Sequence, residues 1–393
     1  MLKLIKNATV HDPKYIGVKD IMIDSQSIIA IEDNIECDHS FVEMIDATGQ
    51  LAVPGFIDSL VHITGGGGEG GFTTRTPEVN LTDLTKAGIT TLVGALGTDA
   101  VSRTLTNLIA KTKELNELGL SCYFYSGSYH LPATTLTASV QSDIMLIEEC
   151  IGVGEVAIAD HRGSQLSYNE LARLASDSRV GGMLSGKSGI VSIHVGDGPE
   201  NLKVINEVVD NTDIPITQFL PTHMNRNQAL FDAGINYVAR GGYIDLTTST
   251  TPEFLKEGEL KCSRALKQVI DKEANLSHIT FSSDGHASLP SFDESGNLAQ
   301  LEIGKETSLF DEIRDAVLIE DIELEKALAV ITSNPADILK MKRKGRLKVG
   351  YDADIVLLDK ERLVIESVFS RGRTMILSGE VKCQGKFEQG VTR

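Results

Sequence analysis

Hydrophobic and polar positions follow one pattern at the two ends of the chain and another in the middle. The first and last fifty residues contain short runs in which apolar residues alternate or cluster between Asn, Asp and Gly. Between them, short apolar runs alternate with segments of helical periodicity, such as 104–119, 168–179 and 262–274. The pattern therefore predicts a small β domain made from both ends of the chain, with a larger α/β domain inserted between its halves.

Eight short β-type runs occur in the middle region, and each ends in polar or glycine-rich sequence. They span residues 55–62, 89–96, 121–127, 151–158, 189–195, 216–223, 242–248 and 278–284. Eight strands separated by helices within about 235 residues are typical of a (β/α)8 TIM barrel. The predicted organisation is a β-sandwich domain formed by 1–53 and 345–393, with the barrel over 54–344.

The charge, the hydrophobic runs and the cysteine count of the chain exclude some kinds of partner and some cell compartments. The 393 residues include 37 Lys and Arg against 55 Asp and Glu, a formal charge of −18, which argues against binding nucleic acid. No apolar run approaches the roughly 18 residues of a membrane span, and the N-terminus lacks the apolar core of a signal peptide. The five dispersed cysteines indicate reduced thiols rather than a thiolate zinc site. A cytoplasmic protein without membrane or nucleic-acid partners is expected.

Candidate chemistry lies at the ends of the predicted strands. In a (β/α)8 barrel, functional groups project from the C-terminal ends of the strands into one site. Three histidines, two carboxylates and a tyrosine occupy such positions: His62, Tyr129, Glu155, His194, His223 and Asp284. Nitrogen and oxygen ligands of this kind predict a site for a divalent metal.

Several motifs carry a resemblance to a known family. The string PGFID (54–58) followed by His62, and GRLKVGYDADIVLLD (345–359) near the other end, resemble the amidohydrolase superfamily. More specific strings are GGGGEGG (65–71), TRTPE (74–78), GTD (97–99), DHR (160–162), PTHMNRN (221–227) and SSDG (282–285). Together, and in this order, they resemble the isoaspartyl (β-aspartyl) dipeptidases, which implies a metal-dependent hydrolase that forms homo-oligomers and acts on a small dipeptide.

The resemblance also implies roles for the residues at the strand ends. His194 and His223 match ligands of the more buried metal, and Glu155 stands where many relatives have a carboxylated lysine that bridges two metals. Asp284 matches a metal ligand that is also the general base and acid, taking a proton from the metal-activated water and passing it to the leaving amine. Tyr129 resembles the tyrosine that donates to the developing oxyanion, which makes it the second catalytic residue.

One position departs from the family pattern. The family carries His-x-His after the first barrel strand, whereas this chain has Leu60 before His62. Leucine offers no ligand atom, and its apolar side chain disfavours a cation nearby. The more exposed metal position therefore keeps fewer ligands. They are His62, Asp284 and the Glu155 carboxylate, which would bridge both metal positions. The other position keeps three protein ligands, the pattern of an open catalytic site, so one Zn²⁺ ion is favoured over two.

The implied substrate is a small zwitterion, and the matching residues form a clamp for it. Glu69 matches the residue that holds the α-amino group, and Arg162 and Arg226 match arginines that bind carboxylates through a planar fork. The other implied contacts come from Gly67, Thr98, Tyr129 and Ser288.

Three functions stay open on these grounds. The first is an active isoaspartyl dipeptidase, which the joint presence of Glu69, Arg162 and Arg226 favours, because another substrate would not need that clamp. Leu60 is expected to reduce the activity of such a dipeptidase. The second is a one-metal amidohydrolase with a different amide substrate, such as another N-acyl or cyclic amide. The third is a non-catalytic relative, favoured by Leu60 and opposed by the remaining ligands.

Overall fold

The computed structural model describes residues 2–37, 39–292 and 298–388. The N-terminal part consists of five strands, β1 (Leu2–Asp12), β2 (Lys14–Asp24), β3 (Ser27–Glu32), β4 (Val42–Asp46) and β5 (Gln50–Pro54). These strands are short and separated by turns, as the alternating pattern of the first fifty residues predicts.

The middle region alternates strands and helices. Its strands are β6 (Phe56–Val61), β7 (Ile89–Gly94), β8 (Ser121–Ser126), β9 (Cys150–Ile158), β10 (Ile190–Val195), β11 (Phe219–Thr222), β12 (Ile244–Thr247) and β13 (Ile279–Ser282), followed by the hairpin β14 (Ser288–Phe292) and β15 (Leu298–Ile303). Its helices are α1 (Leu81–Lys86), α2 (Leu105–Leu118), α3 (Val140–Leu146), α4 (Tyr168–Ser185), α5 (Lys203–Asn211), α6 (Gln228–Ala239), α7 (Pro252–Glu257), α8 (Cys262–Asp271), α9 (Ser308–Leu318), α10 (Leu324–Ala329) and α11 (Ser333–Ile338). Short 3₁₀ helices lie at Phe72–Thr74, Ile216–Gln218 and Leu276–His278. Seven of the eight predicted β runs contain one of the strands β6 to β13, and the eighth, 151–158, covers all of β9 except its first residue, Cys150.

The helices begin and end where the sequence supplies caps. Helix α2 begins after Thr104, whose side chain accepts a hydrogen bond from the Asn107 amide, and ends at Gly119, whose φ of 109° favours glycine. Helix α4 begins after Ser167, which forms a reciprocal capping box with Glu170. The apolar faces of the helices pack against the strands in one large core, so the strand ends are held as fixed points from which side chains project.

The middle strands form a curled parallel sheet. Six of them pair in the order β11-β10-β9-β8-β7-β6, and β12 pairs with β13. The Met224 amide donates to the Asp245 carbonyl across the junction between β11 and β12 (3.2 Å). At the other junction, the amides of Asp284 and His62 donate to the carbonyls of Leu60 and Gly285, at 3.1 and 2.9 Å. The arrangement is TIM-barrel-like, and it brings the carboxyl ends of the strands to one side of the sheet.

The two ends of the chain meet in a second sheet. The last strands are β16 (Ile355–Asp359), β17 (Ile365–Ser370), β18 (Arg373–Leu377) and β19 (Glu380–Val381). Strand β5 pairs antiparallel with β16, so that N-terminal and C-terminal strands share one nine-stranded sheet, in which β1 also pairs with β4. The prediction of a β-rich domain from both ends is confirmed. Its division into two stacked layers and the boundaries at 53 and 345 stay predictions.

Across the described ranges, none of the helices combines the length and the apolar character that crossing a bilayer would require.

Candidate metal centre and active site

A carboxylate and two imidazoles meet at the carboxyl ends of three neighbouring strands. Glu155 lies in β9, His194 in β10, and His223 directly after β11. Glu155 Oε2 lies 3.5 Å from His194 Nδ1 and 3.4 Å from His223 Nε2. All three side chains are buried, and one ligand atom from each lies within 4.8 Å of the others. Among the residues that the structure describes, no other three His, Cys, Asp or Glu side chains form such a group.

The Glu155 carboxylate is buried without a hydrogen-bond donor. Its relative exposure is 0%, and neither Oε1 nor Oε2 has a hydrogen-bond partner. Burial disfavours the charged form, but the adjacent His194 and His223 outweigh it and hold the pKa of Glu155 well below its usual range. A buried anion without donors is costly unless a cation compensates it. Because two imidazoles and a carboxylate also match the ligand set of an open zinc site, these residues fit a divalent metal.

His194 is held from both ring nitrogens. Tyr129 Oη lies 2.7 Å from Nδ1, and Asp160 Oδ2 lies 3.0 Å from Nε2. Tyr129 follows β8 and is 5% exposed, and burial raises the pKa of its hydroxyl well above the usual value. The hydroxyl therefore stays protonated and can donate, as its predicted role as an oxyanion donor requires.

His223 has its own supporting partner. Its Nδ1 lies 2.6 Å from Thr247 Oγ1 at the end of β12, which leaves Nε2 directed at Glu155. Burial, reinforced by the positive charge of Arg226, lowers the pKa of His223 to about 4. The ring is therefore neutral near pH 7, as a metal-ligating imidazole must be.

His62 and Asp284 contact each other at the same side of the parallel sheet, where the strands have their carboxyl ends. His62 Nε2 lies 3.2 Å from Asp284 Oδ1, with both side chains nearly buried. Burial opposes charge on the imidazole, but the hydrogen bond and charge of Asp284 outweigh it and raise the pKa of His62 to about 9. Asp284 has a positive φ of 51°, and His223 has one of 63°, a backbone conformation that is uncommon outside glycine and often found at functional sites.

Leu60 belongs to an apolar cluster at the centre of the parallel sheet. It is 2% exposed and belongs to a cluster that includes Tyr125 of β8, Ile151 of β9 and Leu220 of β11. A polar side chain at this position would be surrounded by apolar groups contributed by several strands. The position supplies no metal ligand in this chain.

The strand ends open into one cavity of about 840 Å³. All seven predicted substrate-binding residues line it: Gly67, Glu69, Thr98, Tyr129, Arg162, Arg226 and Ser288. Three of the predicted metal ligands also line it, namely His62, His194 and Asp284. The predicted metal and substrate residues thus share one space.

Glu69 is the centre of a polar clamp at the rim. Its Oε1 accepts hydrogen bonds from Thr98 Oγ1 (2.7 Å) and Arg162 Nη1 (3.1 Å), and Ser288 Oγ lies 3.4 Å from Oε2. These bonds outweigh partial burial and lower the pKa of Glu69. Gly67 has φ of 68°, and a Cβ there would come within 2.9 Å of the Ser288 Cβ, so only glycine permits the loop to approach so closely.

The two predicted arginines face the cavity differently. Arg162 donates from Nε and Nη2 to Asp160 at 3.0 and 2.7 Å, and its guanidinium carbon lies 5.5 Å from the centre of the Tyr129 ring. Arg226 has a buried Nε without a hydrogen-bond partner, and its Nη2 lies 3.4 Å from His194 Nε2. Both arginines line the cavity.

Three contributors were missed by reasoning from the sequence. Asp160 lies within the DHR motif, so its spacing from Arg162 was a usable signal. Thr247 lies in a Thr- and Ser-rich run that gives no hint of a contact with His223. Arg103 donates to the carbonyls of Gly66 (3.0 Å) and Thr76 (2.8 Å) and so holds the glycine-rich loop, a contact that becomes visible only in three dimensions.

The fold and the ligand cluster together define a class of protein. Residues 51–378, from β5 to β18, match the amidohydrolase family. The chain belongs to the amidohydrolase family.

Within that family, the chain is similar to a β-aspartyl dipeptidase from Fervidobacterium islandicum AW-1. The crystal structure of that protein in complex with β-Asp-Leu dipeptide is 43% identical, with a TM-score of 0.91 over 99% of this chain and 100% of that one. A second crystal structure of β-aspartyl dipeptidase from the same organism is 41% identical, with a TM-score of 0.90 over 99% and 100%. The resemblance to isoaspartyl dipeptidases predicted from the motifs is confirmed.

The chain is also similar to dihydroorotases, at lower identity. The dihydroorotase of Elusimicrobium minutum is 26% identical over 428 residues, which cover 99% of this chain and 95% of that protein. This likeness extends over both the parallel sheet and the β-rich domain.

Proposed function

We propose that this chain is a metal-dependent hydrolase that cleaves β-aspartyl dipeptides. The observation that carries the proposal is one cavity lined both by His194, a member of the buried Glu155–His194–His223 group, and by the Glu69–Arg162 clamp. The first feature suits a catalytic cation and the second suits a zwitterion. Similarity to the F. islandicum β-aspartyl dipeptidase over the full chain supports this substrate class.

The chemistry divides between the metal and the side chains. A Zn²⁺ ion held by Glu155, His194 and His223 would lower the pKa of water and polarise the scissile carbonyl. Asp284, at the cavity wall, takes a proton from the attacking water and later passes it to the leaving amine. The Tyr129 hydroxyl donates a hydrogen bond to the oxygen on which negative charge develops.

The clamp holds the substrate for that reaction. Glu69 binds the α-ammonium group, while Arg162 and Arg226 bind carboxylates. In the structure, Glu69 and Arg162 pair with each other at 3.1 Å. A zwitterionic ligand replaces that contact with two complementary ones, because its ammonium group binds Glu69 and its carboxylate binds Arg162. Backbone of Gly67 and the hydroxyls of Thr98 and Ser288 complete the contacts.

We propose one catalytic zinc ion rather than two. Leu60 provides no ligand, and His62 and Asp284 contact each other outside the group of three close ligands. Should a second ion bind, His62, Asp284 and Glu155 are the residues that remain for it.

A second candidate is hydrolysis of a cyclic amide. The whole-chain likeness to dihydroorotases favours it, and it requires the same metal ligands. The Glu69–Arg162 pair is the feature that opposes it, because a cyclic amide lacks the free ammonium that Glu69 is placed to bind. A non-catalytic role is the third candidate, and the retained ligand cluster opposes it.

The test combines metal analysis with hydrolysis assays. Protein purified without chelator is expected to hold one equivalent of metal and to cleave β-Asp-Leu faster than dihydroorotate. The reverse preference would favour the second candidate, and protein that has neither bound metal nor activity would favour the third. Two equivalents in the wild type would contradict the one-metal proposal, while Leu60→His is expected to add at most a second, weaker site.

The finer architecture belongs to the same proposal. We infer that β6 to β13 close into one (β/α)8 barrel, that the nine-stranded sheet folds as a β-sandwich, and that the chain assembles as a homo-oligomer. Light scattering coupled to size-exclusion chromatography tests the assembly, and a mass equal to one chain would contradict it.

A further inference from the structure

One carboxylate contacts both the candidate metal centre and the substrate clamp. Asp160 lies in the turn after β9 and is 9% exposed. Its Oδ2 lies 3.0 Å from His194 Nε2 and 2.7 Å from Arg162 Nη2. Its Oδ1 accepts hydrogen bonds from the backbone amide and the Nε of Arg162, at 2.8 and 3.0 Å. Asp160 thus uses both oxygens and lies between two residues of different predicted function.

The contact with His194 selects one tautomer of the ring. A carboxylate accepts hydrogen bonds, so the His194 nitrogen that faces Asp160, Nε2, carries the proton. The lone pair is then on Nδ1, which lies 3.5 Å from Glu155 Oε2 and 2.7 Å from the Tyr129 hydroxyl oxygen. Nδ1 is therefore the nitrogen presented to a cation at Glu155.

The contact with Arg162 selects one edge of the guanidinium. Asp160 occupies the Nε and Nη2 edge in a bidentate arrangement. The remaining nitrogen, Nη1, is directed to Glu69 at 3.1 Å, on the side of the cavity. An arginine without that restraint has several rotamers of similar energy, so Asp160 lowers the entropic cost of presenting Nη1.

We propose that Asp160 is a positioning residue that aligns the metal ligand His194 and the substrate-binding Arg162 at the same time. Its effect on His194 holds for any hydrolysis at this metal centre. Its effect on Arg162 rests on the function proposed above, because only an anionic substrate needs that guanidinium.

The test uses Asp160→Asn, which keeps the shape of the side chain. Its amide has only one oxygen, so it cannot accept hydrogen bonds from both His194 and Arg162 as the two carboxylate oxygens do. If the amide oxygen faces Arg162, the amide NH₂ faces His194 Nε2 and favours the wrong tautomer. We expect affinity for Zn²⁺, measured by calorimetry on metal-free protein, to fall by about 10- to 100-fold. With metal saturating, we expect the KM for β-Asp-Leu to rise by roughly tenfold. Asp160→Glu is expected to recover part of both losses.

Two further variants separate the roles. Arg162→Gln removes the clamp and leaves His194 and Asp160 in place, so it should raise KM while metal affinity stays within about threefold of the wild type. Asp177→Asn changes an exposed carboxylate of α4 that does not line the cavity, and it should alter neither metal affinity nor KM. Wild-type metal affinity in a folded Asp160→Asn variant would overturn the proposal.

Separate measurements distinguish a folding defect from a loss of positioning. Thermal unfolding of the metal-free variants shows whether Asp160→Asn folds. If it does not, ¹⁵N NMR of the histidines in metal-free wild type decides instead, since Asp160 requires His194 to be protonated on Nε2. Protonation on Nδ1 would contradict the proposal. Failure of the wild type to cleave β-Asp-Leu counts against the proposed function alone, because metal affinity and tautomer are measured without substrate.

Discussion

Two buried carboxylates of the parallel sheet have opposite surroundings. Asp245 in β12 is 1% exposed and accepts hydrogen bonds from four hydroxyls. The donors belong to β6, β11 and β13 and are Ser59 (3.3 Å), Thr222 (2.7 Å), Thr280 (2.6 Å) and Ser282 (2.5 Å). Glu155 in β9 is 0% exposed and accepts none.

The difference separates a carboxylate held by hydrogen bonds from a candidate metal ligand. Asp245 joins strands on both sides of the junctions between the six-stranded sheet and the β12–β13 pair, so its hydrogen bonds contribute to the fold. Glu155 has only two histidine nitrogens near it, and a divalent cation would complete that ligand set. Burial of a carboxylate therefore does not identify a site by itself, and it is the pairing of Glu155 with two imidazoles that makes it a candidate metal ligand.

The largest effect is expected from Glu155→Gln. The neutral amide removes the charged ligand, so Zn²⁺ affinity should fall by more than the 100-fold typical of losing an outer partner, and hydrolysis should fall with it. The free energy of unfolding of the metal-free protein should fall by less than the free energy of Zn²⁺ binding, because only the contacts of Glu155 with the two histidines are lost there. Calorimetry and chemical denaturation measure the two quantities. A large loss of metal-free stability would assign Glu155 a structural role instead.

Asp245→Ala is expected to lower stability and to leave metal affinity nearly unchanged. It leaves four buried hydroxyls without their acceptor, so the free energy of unfolding should fall by about 3 kcal/mol. Metal affinity of the folded protein should change little, since Asp245 contacts no ligand. Weakened metal binding at unchanged stability would break the distinction between the two carboxylates.

The pKa of Asp245 predicts how the free energy of unfolding depends on pH. Burial outweighs the four hydroxyls and raises the pKa of Asp245 from 3.8 to about 6. Between pH 4 and 6 the folded state keeps a proton that the unfolded state has lost, so rising pH in this window destabilises the wild type. Relative to wild type, Asp245→Asn should gain stability across that window, on the order of 2 kcal/mol. Parallel stability curves for the two proteins would contradict this, and Asp177→Asn is the control expected to run parallel.

The smallest effect is expected from Thr247→Val. This change preserves shape but removes the hydroxyl at 2.6 Å from His223 Nδ1. Metal affinity should fall by about tenfold, the lower end of the range for outer partners. A matched Thr248→Val control alters a neighbouring hydroxyl that bonds Ser308 and should leave metal affinity unchanged.

Much of this arrangement could be predicted from the sequence, because it depends on local patterns. Apolar runs bounded by turns predicted all eight parallel strands, and residues at their ends predicted the group that could hold a metal. The proximity of Glu155, His194 and His223 follows from strand order alone, since β9, β10 and β11 are neighbours.

The supporting contacts could not be predicted in the same way. Asp160 and Thr247 act through hydrogen bonds between different strand ends, which depend on side-chain rotamers and on loop geometry. The hydroxyls around Asp245 come from residues up to 186 positions away in sequence. Whether a buried carboxylate has donors is therefore a property of the folded chain, and the contrast between Asp245 and Glu155 requires the structure.

Anomalous scattering at the zinc absorption edge tests the central claim most directly. Crystals grown with Zn²⁺ should show one strong anomalous peak in contact with Glu155, His194 Nδ1 and His223 Nε2, at about 2.0–2.2 Å from each ligand atom. Absence of a peak there, or a peak that excludes Glu155, would contradict the account.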